Sequence, residues 1–171
     1  EVRDIEVAMP YPSQIGADRI ADAVEARGTY GSPAIVVDFG TATNIDVVDA
    51  RGRYRGGCIA PGLMLSASAL FEKAAKLASI PIEVPPAPIG DTTEHALQSG
   101  LVLGVAAQAE GLVARIKAQL AAEEGVDGID CPVIATGGLS RVIGQATDVF
   151  TAVDVDLTLR GIREIWLRQT K

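Results

Sequence analysis

Aromatic residues are scarce in this chain of 171 residues, at 4% of the total. Ala, Val, Ile and Leu must therefore fill the core, and a hydrophobic content of 48% supplies enough of them. Cysteine occurs only as Cys58 and Cys131, far apart in apolar stretches, which indicates buried thiols rather than a disulfide and favours the cytoplasm. No Cys or Asp spacing around the single histidine, His95, supports a metal site.

Positive charge is also in deficit, because 15 Lys and Arg face 22 Asp and Glu, for a net charge of −7. This balance disfavours non-specific binding to nucleic acid or to an anionic membrane. No run of 18 apolar residues predicts a transmembrane helix, and the first six residues are too charged for a signal peptide. An acidic protein can still bind phosphate through backbone amides, helix N-termini, a few placed cations or a metal.

The length and the order of the patterns predict one α/β domain, with a sheet flanked by helices. Strands are predicted over 34–38, 44–48, 54–60 and 132–136, the first three forming a meander. Helices are predicted over 17–28, over 63–78, from Thr92 or Thr93 to about residue 120, from Leu139, and over 158–168.

Spacings of three and four residues predict the apolar face of each helix. The predicted inward residues are Ala17, Ile20, Ala21 and Val24; Leu65, Ala69, Leu70, Ala74 and Leu77; Leu97, Leu101, Val105, Leu112, Ile116 and Leu120; and Leu159, Ile162, Ile165 and Trp166. Gly100, Gly104 and Gly111 are costly inside the long helix. We therefore expect a second helix to approach them closely, from this chain or from another subunit.

Residues 34–43 carry the most informative motif. Four apolar residues at its start predict a buried strand that ends at Asp38, and the chain then turns at Gly40. Thr41 and Thr43 add hydroxyls to the backbone N–H groups of the turn. An acid, a glycine and hydroxyls at a strand end suit a nucleotide phosphate with its cation. The alternative interpretation is a strand followed by an ordinary polar turn.

The segment from Gly16 to Arg19 opens the first predicted helix. Asp18 is the candidate general base, because a carboxylate beside a glycine turn can accept a proton from a substrate hydroxyl. The alternative is a first-turn aspartate that interacts favourably with the helix dipole. Arg19 is predicted to pair with a substrate carboxylate or with Asp22.

Thr136, Gly137 and Gly138 form a third candidate site, again where a buried strand turns into a helix. The missing side chains leave room for a flat ring or a phosphate, and ligands of open α/β sheets gather at the carboxyl ends of strands. The alternative is a helix start that needs flexible residues. His95 is interpreted as a surface or structural residue, and Trp166 as part of the core.

Taken in this order, the motifs resemble the type III pantothenate kinases. The resemblance extends from about Pro12 to Arg168. It rests on Gly16-Ala17-Asp18-Arg19, Asp38-Phe39-Gly40-Thr41-Ala42-Thr43, Gly56-Gly57 with Ile59-Ala60-Pro61-Gly62, Gly137-Gly138-Leu139, and Asp156 to Gly161.

The resemblance implies a ribonuclease-H-like domain of the acetate kinase, sugar kinase, Hsp70 and actin superfamily, whose members enclose the active site between two such domains. It implies transfer of the γ-phosphate of ATP to pantothenate, giving 4′-phosphopantothenate in the first step of coenzyme A synthesis. A homodimer, a divalent cation such as Mg²⁺, and K⁺ or NH₄⁺ are implied as well.

The resemblance also assigns roles to individual residues. The pantothenate site is lined by Gly16, Ala17, Asp18 and Arg19. The residues that contact ATP are Gly40, Thr41, Gly137 and Gly138. Asp18 is the proton acceptor, Thr93 reaches pantothenate from the start of the long helix, and Asp38 binds the monovalent cation.

Three departures from the family pattern shape these expectations. The family's N-terminal Asp-x-Gly-Asn-Thr motif and the domain around it are absent from the 171 residues. We therefore expect a C-terminal domain, with residues 1–15 as an inter-domain linker, that is inactive alone because a kinase needs both walls of its cleft. Met9 stands where the family has a tyrosine, with Tyr11 shifted by two, and Asp91 stands where it has a lysine.

Two other functions remain open at this point. Some homologues in the family are described as accessory factors for transcription, so the chain could be a regulator without catalysis. The acidic balance argues against direct DNA binding, though not against a protein partner. A kinase of the same superfamily with another acceptor is the third hypothesis, which the segment from Gly16 to Arg19 argues against.

Overall fold

A computed structural model describes residues 4–74 and 78–170 of the chain. Five strands form one sheet: β1 Ala34–Phe39, β2 Ala42–Val48, β3 Tyr54–Pro61, β4 Val133–Thr136 and β5 Ala152–Val153. The strand order is β3-β2-β1-β4-β5. β1, β2 and β3 are antiparallel neighbours, whereas β4 runs parallel to β1 and β5 parallel to β4. The predicted meander is confirmed, and β5 is a strand that the sequence patterns did not predict.

Six α-helices and two shorter helical segments flank the sheet in the described part of the chain. They are the 3₁₀ segment Pro12–Gln14, α1 Ala17–Tyr30, α2 Leu63–Lys73, α3 Thr93–Gln98, the π-helical segment Ser99–Leu103, α4 Gly104–Glu124, α5 Ser140–Gly144 and α6 Leu157–Gln169. β1 and β4 lie between helices on both faces, which explains why their sequences are continuous apolar runs.

One face of the sheet is covered by α1 and α6. Val24 of α1 packs with Val36 and Ile134 of the sheet, and Leu157 of α6 belongs to the same buried cluster. Gly161 of α6 faces the backbone of α1, where a Cβ would collide with the carbonyl of Ala21. The two helices are therefore in direct backbone contact.

The opposite face is covered by α2, α4 and α5. Ile35 and Val37 of β1 form a buried cluster there with Leu63 of α2, Val113 of α4 and Ile143 of α5. The domain thus has three layers, with helices on both sides of a mixed sheet, as the order of the predicted elements indicated.

Residues Thr93–Glu124 form one long helical stretch that is long and apolar enough to cross a membrane, with a mean hydropathy of 1.2 over an 18-residue window. The criterion of a continuous apolar run did not detect it. In this fold the stretch has the contacts of a core helix, because Val102, Ala106 and Val113 are buried against the sheet layer. Thr92 caps its N-terminus by accepting a hydrogen bond from the backbone N–H of His95 at 3.1 Å.

The predicted inward face of α2 is wrong. Leu65 and Leu70 are exposed, and the buried residues are Leu63 and Ala67, two positions earlier. Residues 63–71 are mostly small or apolar on every side of the helix, so spacing alone could not select a face. The helix ends at Lys73, earlier than predicted, and the predicted inward residue Leu77 lies outside the described residues.

The predicted faces of the first and last helices also need correction. Ala17 is exposed, and α1 continues past Gly28 to Tyr30. In α6, Leu159, Ile162 and Trp166 are exposed, so Trp166 is not a core residue. The inward side of α6 is set by the contact of Gly161 with α1, which a pattern search for large apolar residues cannot detect. Of the predicted stripe on the long helix, Leu101 and Leu120 are buried, and the others are half-buried.

Candidate functional site

Asp38 lies at the end of the central strand β1, paired in register with Thr136 of β4. Gly137 follows directly with a φ of 88°, in the left-handed region that favours glycine. A Cβ at this position would collide with the Asp38 carboxylate and lie 2.8 Å from the backbone of Phe39. The fold therefore joins the second and third sequence motifs, residues 38–43 and 136–140, at one end of the sheet.

The turn between β1 and β2 consists of Gly40 and Thr41. Thr41 is exposed. The φ of Gly40 is not positive, so other residues can also adopt its backbone conformation. The backbone N–H of Gly62 donates to the carbonyl of Thr41 at 3.1 Å, and a Cβ on Gly62 would collide with that turn. Gly62 precedes the first residue of α2, which therefore begins directly beside the turn.

Gly16 precedes α1, and Asp18 lies exposed in its first turn. The Asp18 Oδ1 accepts a hydrogen bond from the backbone N–H of Arg19 at 2.9 Å. A Cβ on Gly16 would collide with this oxygen, so glycine at position 16 leaves room for the observed orientation of the carboxylate. Ala17 beside it is exposed as well.

Arg19 does not pair with Asp22, one of the two partners that the sequence predicted. Its Nε and Nη2 atoms lie 2.9 and 2.7 Å from the Oδ1 of Asp46 on β2. The hydroxyl of Tyr54 on β3 donates to the same oxygen at 2.6 Å, and its ring lies 5.9 Å from the guanidinium carbon. Asp46 and Tyr54 were missed in the sequence because no local motif contains them.

This network determines the charge state of Arg19. Burial disfavours its charge, but the hydrogen bonds and the attraction of Asp46 outweigh burial and raise the pKa of the guanidinium. Burial also raises the pKa of Asp46, against the hydrogen bonds from Arg19 and Tyr54. Two of the three guanidinium nitrogens are bound to Asp46, and the third, Nη1, has no hydrogen-bond partner among the described residues.

Four aspartates approach one another where α1 crosses the strand ends. Burial raises the pKa of Asp22 to about 7, and the negative charges of Asp38, Asp46 and Asp18 add to the rise, while Thr158 opposes it. Burial likewise raises the pKa of Asp38, with added repulsion from Asp18 and Asp46. The region between α1 and β1 is therefore rich in carboxyl groups, and a bound cation would favour their ionised form.

Asp38 has the chemistry of a single cation ligand. In the described residues it forms no ion pair with Lys or Arg, although its neighbours are acidic. No group of three or more His, Cys, Asp or Glu side chains that could hold a metal occurs in 4–74 and 78–170. Mg²⁺ in phosphate-transfer sites takes one or two carboxylates and completes its shell with phosphate and water. The residues present fit a cation held by Asp38 together with a phosphate ligand.

The contacts of the described chain do not bring Thr93 to this cluster. Its turn is tied instead to the preceding segment, where a Cβ on Gly90 would collide with Ala96. Asp91 Oδ1 lies 2.6 Å from Nδ1 of His95, and this hydrogen bond lowers the pKa of Asp91. The interpretation of His95 as a structural residue agrees with that contact.

The structure thus brings together most of the predicted site residues. Asp38, Gly40 and Gly137 lie at one end of the sheet, and Asp18 approaches from the first turn of α1. The assembly offers the exposed carboxylate of Asp18, the carboxylate of Asp38 and the turn at Gly137 and Gly138, whereas the N–H of Gly40 already donates to the carbonyl of Ala42 at 3.1 Å. Gly138 has no described atom within 4 Å of a Cβ built on it. Carboxylates and a glycine turn at the end of a sheet can bind a phosphate together with its cation.

Comparison with known sequences gives a family match. A family model described as type III pantothenate kinase matches residues 2–115. A curated relative of that name from Thermomicrobium roseum is 45% identical over 164 residues, which are 96% of this chain and 61% of the relative. Another from Roseiflexus sp. is 49% identical over 155 residues, 91% of this chain and 58% of the relative. The chain spans about three fifths of the length of these relatives and matches their C-terminal portion.

Two solved structures share the fold. One is from Campylobacter jejuni, assigned to the Baf family of transcriptional activators, with a TM-score of 0.64 and 19% identity over 97% of this chain and 69% of its own. The other is the activator of 2-hydroxyisocaproyl-CoA dehydratase from Clostridium difficile with bound ADPNP, with a TM-score of 0.50 and 13% identity over 90% of this chain and 68% of its own. At these identities the two likenesses show the fold alone, and the predicted α/β, ribonuclease-H-like fold is thereby confirmed.

Proposed function

The chain belongs to the type III pantothenate kinase family, and from this premise we propose that it is part of an enzyme that phosphorylates pantothenate with ATP. The product is 4′-phosphopantothenate, in the first step of coenzyme A synthesis. The observation that carries the proposal is the identity of 45% and 49% with relatives of that name over more than nine tenths of the chain.

We propose that catalysis requires the N-terminal portion that the relatives carry. A phosphoryl transfer needs groups on both sides of the phosphates to hold them in line with the acceptor. Asp38, Thr41 and Gly137 supply groups on one side only. The 171 residues alone are therefore expected to have little activity.

In the proposed mechanism Asp18 is the proton acceptor. Pantothenate lies along Gly16, Ala17 and Arg19, and the Nη1 of Arg19, which has no hydrogen-bond partner among the described residues, is available to bind it. Asp18 takes the proton of the primary hydroxyl of pantothenate. The hydroxyl oxygen bonds to the γ-phosphorus of ATP, and the bond between the γ-phosphorus and the ADP oxygen breaks. The exposed position of the Asp18 carboxylate supports this role, since an incoming hydroxyl can reach it.

The nucleotide lies on the adjoining turns. Gly40 borders the phosphates, the hydroxyl of Thr41 binds a phosphate oxygen, and Gly137 and Gly138 border the adenosine. Asp38 would hold the monovalent cation, K⁺ or NH₄⁺, whose charge would offset that of the phosphates. A divalent cation such as Mg²⁺ would accompany ATP and would supply positive charge at its β- and γ-phosphates.

We propose further that the enzyme is a cytoplasmic homodimer in which the long helix of each copy meets the other. Gly104 and Gly111 lie on the side of α4 away from the buried Ala109 and Val113, and no described atom outside the helix backbone lies within 4 Å of a Cβ built on either glycine. Gly104→Leu should convert a dimer to a monomer in sedimentation, whereas the loop variant Gly128→Leu should not.

The activity is tested with a coupled assay of ADP release on the complete polypeptide, in which the N-terminal portion precedes residues 1–171. Asp18→Asn should remove most pantothenate-dependent turnover and leave the urea midpoint unchanged. Asp148→Asn, an exposed substitution on the α5–β5 connection, is the control and should keep turnover. Near-normal turnover in Asp18→Asn would exclude this residue from the mechanism.

Titration calorimetry separates the kinase from a regulator without catalysis. A kinase must bind ATP and pantothenate in the complete polypeptide, whereas a regulator that acts through a protein partner need bind neither. Replacement of pantothenate by another hydroxyl compound in the same assay tests for a different acceptor.

A further inference from the structure

The outer face of α6 is formed by Leu159, Ile162 and Trp166. Their spacings of three and four place them on one side of the helix. They are 66%, 51% and 61% exposed, which is unusual for three large apolar side chains in a row. The inward side of the same helix, with Leu157 and Gly161, is already packed on the sheet and on α1.

A helix with apolar residues on opposite sides is typical of one that lies between two layers. The layer on the inward side is present, since α1 and the sheet cover Leu157. No described residue covers Trp166 to a comparable extent. The outer face of α6 therefore lacks a partner in the described part of the chain.

A second apolar feature lies on the same side of the sheet. The segment before α1 and the first turns of α1 form a half-open cavity of about 720 Å³, lined by Ile5, Val7, Pro12, Ile15 and Ile20, together with Glu6, Ser13 and Ala17. Ile5, Ile15 and Ile20 belong to the same hydrophobic cluster as Ile165 of α6. The cavity and the outer face of α6 thus belong to the same helical layer.

The length of the relatives indicates what covers this layer. The chain matches the C-terminal portion of its relatives. About two fifths of each relative's length lies outside the match. Residues 4–15, which line the cavity, are the part of this chain that would directly follow such an N-terminal portion. The opposite helical layer does not adjoin this segment, because it packs on the other face of the sheet.

We propose that the outer face of α6 is the docking surface for the N-terminal portion of the complete polypeptide, with Trp166 at its centre. The inference rests on the two-part enzyme proposed above and names the surface that joins the parts. It concerns packing rather than chemistry, so it can be tested without turnover.

Trp166 is the only tryptophan of the chain and reports on its own burial. In the 171-residue chain its fluorescence should be red-shifted and readily quenched by acrylamide. In the complete polypeptide, with any tryptophan of the N-terminal portion replaced by phenylalanine, quenching should fall severalfold and the emission should shift to the blue.

A matched pair of variants tests the rest of the face. Leu159→Ser with Ile162→Ser should leave the urea midpoint of the 171-residue chain unchanged and lower that of the complete polypeptide. Met64→Ser with Leu65→Ser is the control, because both residues are exposed on α2, in the opposite helical layer. The control should have equal effects on the two proteins.

Two results would overturn the proposal. Equal quenching of Trp166 in both proteins would show that the N-terminal portion packs elsewhere. A blue shift that grows with the concentration of the 171-residue chain alone, together with a dimer in sedimentation, would assign the face to a second copy. If Trp166 is buried in the complete polypeptide but that protein has no turnover, the proposed kinase activity is rejected and the proposed docking surface is retained.

Discussion

Arg19 and Asp46 are 27 residues apart in sequence and are joined by contacts of 2.9 and 2.7 Å to a single carboxylate oxygen. Asp46 is 1% exposed and its other oxygen, Oδ2, has no hydrogen-bond partner in the described chain. The start of α1 is thus fixed to β2 by a buried ion pair. Since Asp18 precedes Arg19 directly, this pair also positions the proposed proton acceptor.

Asp46→Asn should therefore lower both stability and activity. Removing one charge of a buried pair leaves the other without compensation, which costs about 3 kcal/mol of unfolding free energy. Glu164→Gln, which breaks the exposed pair with Arg168, should cost less than about 1 kcal/mol. Urea unfolding of both variants gives the comparison. Similar small losses for both would show that Arg19 is not held by Asp46.

Gly16→Ala is expected to separate activity from stability. The new Cβ would collide with the terminal oxygen of Asp18, which can rotate away at little cost to the fold. Turnover of the complete polypeptide should then fall while the urea midpoint stays the same. Gly28→Ala is the control on the same helix, because its Cβ meets no described atom within 4 Å. It should keep turnover and raise stability by up to about 1 kcal/mol.

Gly137 and Gly138 should respond differently to alanine. Gly137 has a φ of 88° and its Cβ would collide with Asp38 and crowd the backbone of Phe39, so Gly137→Ala should cost more than about 1 kcal/mol of unfolding free energy. Gly138→Ala meets open space and should leave the fold stable. If the adenosine lies against Gly138, this variant should still weaken ATP binding in calorimetry. Equal stability of the two variants would contradict the packing of Gly137 on Asp38.

The sequence predicts those structural features that depend only on residues close together along the chain. The apolar run before Asp38, the meander and the glycine turn at Gly137 are local, and each is found where it was predicted. The partner of Arg19 was not predictable, because a buried pair across 27 residues leaves no periodic pattern. The exposure of Trp166 was missed for another reason. An apolar stripe predicts that a helix face becomes buried, but it does not indicate whether the same domain buries it.

Asp22 should make the stability of the protein depend on pH. Burial raises its pKa from 3.8 to about 7, so the folded state binds more protons than the unfolded state between these values. Stability therefore falls as the pH rises through this window, by up to about 4 kcal/mol at about 1.4 kcal/mol for each pH unit. The hydrogen bond with Thr158 favours its ionisation, whereas the negative charges of Asp38, Asp46 and Asp18 oppose it.

Asp22→Asn should remove this dependence, because an amide has the shape of the carboxyl group and does not ionise. Urea unfolding at pH 5 and pH 8 should show a smaller loss of stability in the variant than in the natural sequence, and the variant should be the more stable protein at pH 8. The exposed variant Asp148→Asn should keep the original slope. An unchanged slope in Asp22→Asn would mean that Asp22 is already ionised at pH 5 in the folded protein, which its burial and its three acidic neighbours oppose.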